Sequence, residues 1–402
     1  MSDSHQRPTV VSLFSGAGGM DYGFEAAGFT TRVAVENNAD ACMTLRSNRP
    51  SWVVVERDVA TVTGVELTDQ GGFREVDVLM GGPPCQPFSA AGYWRTGDSL
   101  RLRDPRAATL NHFVRLVGEL RPKALLLENV PAFAFNGKSD GLELVRAGLE
   151  QVNRKHGTHY QPFEQVVSAA AHGVPQDRRR FFLVASRDAQ NFQFPKPTIA
   201  SDEDYVTAWD AIGALVPMHG EQLSVGGKWG DLLPSIPEGS NYLHHTPRGG
   251  GKPLFGWRSK FWSFLLKLAK HRPAWTIAAQ PGSAAGPFHW DNRRLSQQEL
   301  ARLQTFPEGI VVSGGRTSVQ RQVGNAVPSL LAELIARSIR TQLLDGVTYD
   351  QPPVLAVSRR DDRPRAKKCA PVPAKYLQLM SDHPDHPGTG KGPGALTRVA
   401  AK

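Results

Sequence analysis

Short apolar segments alternate with amphipathic segments along the first 190 residues of the chain. The strand-like segments are residues 9–14, 32–36, 53–56, 76–80, 124–128, 165–170 and 181–186. Helical periodicity occupies residues 20–27, 107–120 and 142–156. Because strands that alternate with helices along a chain usually pair in parallel, this pattern predicts an α/β fold with a parallel sheet.

The pattern changes after the last of these strands. Residues 192–256 are rich in Gly, Pro, His and Trp and have little periodicity, which is typical of a loop-rich recognition or insertion region. A regular pattern returns at residues 261–270, 296–304 and 327–344. From residue 350 onward, eight prolines and scattered charges predict a flexible tail.

The composition of the 402 residues excludes several classes of protein. The apolar fraction of 40% is enough for a buried core. The three cysteines form no CxxC pair, so we expect no disulfide framework and no cysteine-built metal site, as in a protein of the reducing cytosol. Residues 1–8 are polar and no long apolar run occurs, so neither export nor a membrane span is expected.

The net charge of +9 points to a polyanionic partner, but the charge is unevenly distributed. Residues 358–402 contain ten Lys or Arg and four Asp or Glu, a balance of +6. The rest of the chain carries only +3. Nucleic-acid binding by the main body must therefore depend on local basic clusters.

A glycine-rich loop, FSGAGG at residues 14–19, follows the first strand and opens the first helix. Glycines there let the backbone approach a ligand, and Glu36 ends the next strand, where it is placed to bind ribose hydroxyls. A plain tight turn is the alternative. The phosphate-binding GxxxxGK[ST] motif is absent, which disfavours nucleotide hydrolysis. NAD and S-adenosylmethionine both remain open as the cofactor.

A second motif, GGPPCQPFS at residues 81–89, puts Cys85 beyond the carboxyl end of a strand, where α/β sheets bind ligands. Its prolines fix the local backbone, and a thiolate there could act as a nucleophile. The alternative is an inert buried cysteine.

Two charged segments follow at the same predicted edge. Glu128 of LENV ends the next strand, where partial desolvation would make it a proton donor; a capping or salt-bridged Glu is the alternative. In QDRRR, strand alternation points Arg178 and Arg180 to one side and Arg179 to the other. Two arginines directed into a site would contact an anion or a base, whereas a solvated charged face is the usual arrangement.

These segments, in this order, resemble the cytosine-5 DNA methyltransferase family from residue 10 to about residue 344. The last two segments of the family also have counterparts here. One resembles RLS at 294–296 through ELARLQTFP at 299–307, and the other resembles QVGNAVP at 322–328. The resemblance implies a Rossmann-like S-adenosylmethionine-dependent sheet with a smaller inserted target-recognition domain. We expect catalytic and cofactor-binding residues 1–190, a target-recognition domain at 191–270, a return to the catalytic domain at 271–349, and a flexible basic Pro-rich tail at 350–402.

The resemblance also assigns roles to individual residues. The cofactor S-adenosyl-L-methionine would contact Phe14, Ser15, Gly16, Gly18, Gly19, Glu36, Asn37, Asp58, Val59, Pro84, Asn325 and Ala326. The catalytic residues would be Cys85, Glu128, Arg178 and Arg180, without a metal. The DNA contacts would come from Ser89, Arg101, Arg103, Gln176, Arg248, Lys252 and Arg258.

In the implied reaction, a Cys85 thiolate adds to C6 of a flipped-out cytosine and C5 then accepts a methyl group, while Glu128 contacts N3 and Arg180 contacts O2. Arg178 would contact the neighbouring phosphate or the nucleophile loop. We expect double-stranded DNA as substrate, a monomer on DNA, a bacterial cytosolic location and a restriction endonuclease as partner. RNA cytosine methylation and a non-catalytic DNA-binding relative are the alternatives; an NAD dehydrogenase gives Cys85 and Glu128 no joint role.

Overall fold

The strands of the computed structural model follow the apolar segments closely. The model describes residues 7–84, 108–134, 140–258, 261–381 and 383. Its strands are β1 Thr9–Leu13, β2 Thr30–Glu36, β3 Val53–Glu56, β4 Val78–Gly81, β5 Ala124–Asn129, β6 Phe163–Ser168, β7 Gln176–Asp177, β8 Arg179–Ser186 and β9 Ala274–Trp275.

The periodicity does not predict five of the helices in the described residues, namely α2, α3, α6, α8 and α10. The α-helices in the described part of the chain are α1 Gly19–Ala26, α2 Ala39–Asn48, α3 Gly64–Gly71, α4 Ala108–Leu120, α5 Asp140–His156, α6 Ala208–Ile212, α7 Gln297–Leu303, α8 Arg316–Asn325, α9 Ser329–Leu343 and α10 Ala374–Leu377. Residues 261–270, where a regular pattern was expected, instead form turns and isolated bridges.

The main sheet has the strand order β3-β2-β1-β4-β5-β8-β6. Strands β1 to β5 pair in parallel, whereas β8 is antiparallel to both β5 and β6. The expectation of a parallel sheet is therefore wrong at this edge. The reason is the short connection between β6 and β8, because a parallel pair needs a long crossover and a short connection returns the chain antiparallel.

Each face of the sheet has its own hydrophobic core, because alternate side chains of a strand point to opposite faces. On one face Leu125 and Leu127 pack with α3, α4 and α5. On the other face Met80 and Leu126 pack with α1 and α9. A third core beside the sheet joins Tyr22 of α1 to residues of α2, α6, α7 and α8. The sheet thus fixes α1 and its preceding loop against α9.

A small unit within residues 225–288 has a core of its own, whereas Leu268, Ala274 and Ile277 of the same range pack in the third core. Its aromatic members include Trp229, Tyr242 and Phe264. Residues 192–212, which the sequence assigned to the recognition domain, pack instead on the cores of the large unit.

The segment after residue 350 is more ordered than its composition predicts. Leu355, Val357 and Tyr376 pack into the second, third and small-unit cores respectively. The prediction of a flexible tail is therefore wrong for residues 350–381, while residues 382 and 384–402 lie outside the described part. No helix among the described residues has the length and apolar character needed to cross a bilayer.

Candidate active site at the edge of the sheet

The loop between β1 and α1 has the backbone that its glycines predict. Gly16 and Gly18 have φ of 55° and 83°, and Gly18 caps the N-terminus of α1. A Cβ built on Gly16 would meet no atom within 4 Å, so the space in front of this peptide is open. A Cβ on Gly19 would lie 2.4 Å from the carbonyl oxygen of Val327, which explains why a glycine begins the helix.

Glu36 lies at the carboxyl end of β2, directly beside this loop. Its Oε2 accepts the backbone N–H of Gly16 at 2.8 Å, and its Oε1 accepts those of Asn37 and Asn38 at 2.9 and 2.8 Å. The carboxylate is thus held by three N–H groups beside the open space at Gly16. This arrangement suits a cofactor that carries hydroxyl donors, such as a ribose.

The other predicted cofactor residues lie at neighbouring ends of the sheet. Asp58 follows β3, is exposed and accepts the N–H of Ala60 at 2.9 Å, while Val59 is buried. Ala326, at the end of α8, lies against the N-terminus of α1: a Cβ on Gly19 would be 3.0 Å from its Cβ. The structure therefore brings residues distant in sequence to one site. Asn325 and Pro84 are both exposed.

A buried carboxyl group beneath the loop is a feature that the sequence reasoning missed. Asp21 is fully buried and accepts hydrogen bonds from Ser12 at 3.2 Å and Thr31 at 3.4 Å. The Ser15 hydroxyl in turn donates to the Ser12 hydroxyl at 2.9 Å. Burial raises the pKa of Asp21 to about 7, against the opposing effect of these hydroxyl donors. An acidic residue in an otherwise apolar first turn of α1 was the available signal.

Glu128 lies near the carboxyl end of β5 and is 8% exposed. Its Oε2 lies against the nucleophile motif, since a Cβ built on Gly82 would be 2.9 Å from it. Next to it, the Asn129 amide donates to the carbonyl oxygen of Pro83 at 3.3 Å. Burial raises the pKa of Glu128, and the charges of Arg180 and Arg178 oppose that rise. The carboxyl group is thus placed to hold a proton.

Arg180 is the ion-pair partner of Glu128. Its Nε lies 3.0 Å from Glu128 Oε1. The register explains the contact: Glu128 pairs with Phe182 across β5 and β8, and Arg180 is two residues along the same face. Arg179 is exposed, whereas Arg178 and Arg180 on either side of it are buried or half-buried, so the predicted alternation of the three arginines is confirmed.

Arg178 has surroundings unlike those the sequence suggested. It is 1% exposed and donates to the carbonyl oxygens of Gly324 at 2.7 Å and Ile277 at 3.4 Å. A side chain buried in this way cannot reach a DNA phosphate, so that part of the prediction is corrected. Its contact with the nucleophile loop stays a prediction, because residues 85–89 of that loop lie outside the described residues.

Gln176 does not face DNA either. It is 0% exposed, donates to the carbonyl oxygen of Leu303 and the side chain of Gln304, and accepts the N–H of Ile277. Gln304 donates onward to Val323 at 2.6 Å. The expected DNA contact from Gln176 is therefore wrong: its amide joins β7 to the α7–α8 region. Only the folded chain brings these partners together, since they are more than 100 residues apart.

Several predicted residues cannot be placed. Cys85, Ser89, Arg101 and Arg103 lie outside the described residues. In the small unit, Arg248, Lys252 and Arg258 are exposed, and Arg248 lies over the ring of Trp257 at 4.9 Å. Trp229 is half-buried and packs against the small-unit core.

The sequence from residue 8 to residue 341 matches the C-5 cytosine-specific DNA methylase family. The type II methyltransferase M.SacI of Streptomyces achromogenes is 37% identical, over 85% of this chain and 94% of that protein. The type II methyltransferase M1.HphI of Haemophilus parahaemolyticus is 34% identical, over 82% and 86% respectively.

Solved structures give the same result. A protein encoded within an E. coli prophage, described as a DNA modification methyltransferase, has a TM-score of 0.60 and 25% identity over 84% of this chain and 99% of its own. A Spodoptera frugiperda DNMT2 variant shares the fold, with a TM-score of 0.56 and 17% identity over 81% of this chain and 97% of its own. The chain thus belongs to the C-5 cytosine-specific DNA methylase family and is an S-adenosylmethionine-dependent DNA cytosine-5 methyltransferase.

Proposed function

We propose that methyl transfer takes place at the sheet edge where Glu128 and Arg180 form their ion pair, with Cys85 as the nucleophile. Unaided cytosine C5 is too weak a nucleophile to take a methyl group. Addition of the Cys85 thiolate to C6 moves electrons through the ring, so C5 becomes nucleophilic and negative charge develops toward N3. A group that holds a proton at N3 would stabilise that charge.

The burial of Glu128 is the observation that carries this proposal. At 8% exposure, burial raises the pKa of Glu128 and so favours the protonated form that would donate to N3. Its Oε2 lies against Gly82, three residues before Cys85, so the acid and the nucleophile motif share one edge. Arg180, held at 3.0 Å, would contact O2 of the base.

The residues around the β1–α1 loop fit the cofactor. The open space at Gly16 admits a ligand close to the backbone, and Glu36 supplies acceptor oxygens for ribose hydroxyls. When bound, S-adenosylmethionine supplies the electrophilic methyl group that C5 accepts. The C5 proton then passes to water, and its bonding electrons form the C5–C6 double bond as the bond between the Cys85 sulfur and C6 breaks. The Cys85 thiolate leaves, and N3 returns its proton to Glu128.

The small unit would read the DNA sequence. Arg248, Lys252 and Arg258 are exposed on it, and arginine can pair with guanine in the major groove. Phe261 and Trp262 are each 48% exposed beside this basic group. Because C6 is inaccessible inside a duplex, the target cytosine must be flipped out. We place the enzyme in the bacterial cytosol, acting as a monomer on duplex DNA alongside a restriction endonuclease of the same specificity.

Methyl transfer from labelled S-adenosylmethionine to site-diverse duplex DNA and to RNA tests the proposal. Wild type should label DNA as 5-methylcytosine, and Cys85→Ala should not. Cys369→Ala, which changes an exposed cysteine, is the matched control and should retain activity. Equal DNA labelling by Cys85→Ala would exclude Cys85 as the nucleophile. Labelling of RNA alone would favour an RNA substrate.

A further inference from the structure

The C-terminal strap, residues 350–381, begins with a buried attachment to α9. Glu333 is 0% exposed, and its carboxylate accepts the N–H groups of Val354 at 2.7 Å and Leu355 at 2.9 Å. Arg337 pairs with the same carboxylate at 2.7 Å and donates to the carbonyl oxygen of Gln351 at 2.7 Å. A buried carboxylate is thus satisfied largely by strap backbone, which fixes the first end of the strap to the catalytic unit.

The middle of the strap is fixed to α6. Asp210, whose side chain is 6% exposed, accepts the N–H of Arg360 at 2.9 Å and pairs with Arg359 at 3.4 Å. Asp362 accepts the indole N–H of Trp209 at 3.1 Å. Val357 is buried in the third core. These contacts carry the strap along the large unit toward the small one.

The far end of the strap completes the core of the small unit. The Tyr376 ring is 3% exposed and stacks on Trp229, with centroids 5.7 Å apart and planes 16° apart. Its hydroxyl donates to the carbonyl oxygen of Lys228 at 2.6 Å. Ala370 donates to the carbonyl oxygen of Pro234 at 3.0 Å, and Lys375 pairs with Asp231.

We propose that the strap is a positioning element, with Tyr376 as its anchor. It holds the small unit at an angle to the catalytic edge that lets DNA contact the small unit and the catalytic edge together. This inference rests on the proposed role of the small unit in DNA recognition. A segment whose residues enter the second, third and small-unit cores restricts the relative motion of the two units. When both binding surfaces are already held in their DNA-bound arrangement, less conformational entropy is lost as DNA binds.

The steady-state constants of Tyr376 variants test the strap. Tyr376→Ala should raise KM for DNA about tenfold or more through misplacement of the small unit, with much smaller changes in kcat and in KM for S-adenosylmethionine. Tyr376→Phe keeps the ring on Trp229 and should restore most of the DNA affinity. Tyr160→Ala is the matched control, because Tyr160 is also buried and its hydroxyl donates to the carbonyl oxygen of Pro122 within the large unit.

A cut in the strap gives a second test that does not depend on the folding of Tyr376→Ala. Residues 361–370 are exposed, so a protease recognition sequence inserted after Arg365 can be cleaved in the folded enzyme. Cleavage should raise KM for DNA and leave KM for S-adenosylmethionine unchanged. If the cleaved enzyme methylates DNA with an unchanged KM for DNA, the strap proposal is overturned and the proposed function is not. An uncut enzyme that methylates no DNA would instead overturn the proposed function.

Discussion

The Nε of Arg180 lies 3.0 Å from Oε1 of Glu128, and the two side chains are 14% and 11% exposed. In this partly desolvated pair two effects on the carboxyl group oppose each other. Burial raises the pKa of Glu128, whereas the guanidinium charge lowers it. The net effect is a raised pKa in a carboxyl group that its partner still aligns, which suits an acid acting on a ring nitrogen.

Replacement of Glu128 by Gln should lower kcat about 100-fold or more, since a glutamine amide cannot transfer a proton to N3. Binding of S-adenosylmethionine should be unchanged, because Glu128 lies away from the Gly16 and Glu36 contacts. Steady-state methylation of duplex DNA and calorimetric cofactor binding measure the two effects. Glu143→Gln, at a 63% exposed side chain on α5, is the control and should behave as wild type. A wild-type kcat for Glu128→Gln would contradict the proposed acid.

Replacement of Arg180 by Met should shift the pH dependence of kcat as well as lower kcat. The Arg180 charge lowers the pKa of Glu128, so its removal lets the pKa rise further. The protonated carboxyl group then persists to higher pH, and the alkaline limb of the profile should move upward. Arg146→Met removes an exposed arginine paired with Glu164 and should leave the limb in place. A downward shift for Arg180→Met would refute the assignment.

Asp21→Asn should change how stability depends on pH. The folded-state pKa of about 7 exceeds the ordinary value of 3.8, so the wild type loses stability as pH rises from about 4 to about 7. Asparagine removes this loss, and relative to wild type the variant should gain up to about 3 kcal/mol between pH 5 and pH 8. Urea unfolding at both pH values measures the difference.

The matched control for this experiment is Asp345→Asn. Arg340 lowers the pKa of Asp345, so its stabilising effect is lost only in acid, below the range tested. Its free energy of unfolding relative to wild type should therefore stay constant between pH 5 and pH 8. The same constancy in Asp21→Asn would rule out a buried ionisable group at residue 21.

Gly19→Ala should destabilise the contact between α1 and the segment after α8. The added Cβ would lie 2.4 Å from the carbonyl oxygen of Val327, and such overpacking costs about 1–3 kcal/mol. We expect weaker binding of S-adenosylmethionine together with a lower free energy of unfolding. Gly226→Ala, at a position with no atom within 4 Å, should change neither by a comparable amount. Wild-type values for Gly19→Ala would show that this contact is dispensable.

Local sequence was sufficient to predict the seven strands of the main sheet and the sheet-edge placement of Glu36 and Glu128, because the signals are glycine loops and apolar segments that span about 20 residues or fewer. It did not predict β7 or β9. It was not sufficient for Gln176 and Arg178, whose partners Leu303, Ile277 and Gly324 come close only after folding. The sequence therefore predicted exposed contacts for polar side chains of this short motif that are buried in the folded chain.

The strap was missed for a different physical reason. Its prolines and charges lower the mean hydropathy, which is typical of an unfolded segment. A few widely spaced apolar residues, Leu355, Val357 and Tyr376, nevertheless enter three separate cores. Each contact is made to an element far away in sequence, so no periodicity reveals it.

Trapping of the covalent intermediate tests the central claim most directly. In duplex DNA that contains 5-fluorocytosine, C5 carries fluorine in place of the departing proton, so the Cys85 adduct cannot break down after methyl transfer. Wild type should form a denaturant-resistant complex with this DNA, Cys85→Ala should form none, and Glu128→Gln should form it about 100-fold more slowly. An adduct with Cys85→Ala, or a wild-type rate of adduct formation with Glu128→Gln, would contradict the account.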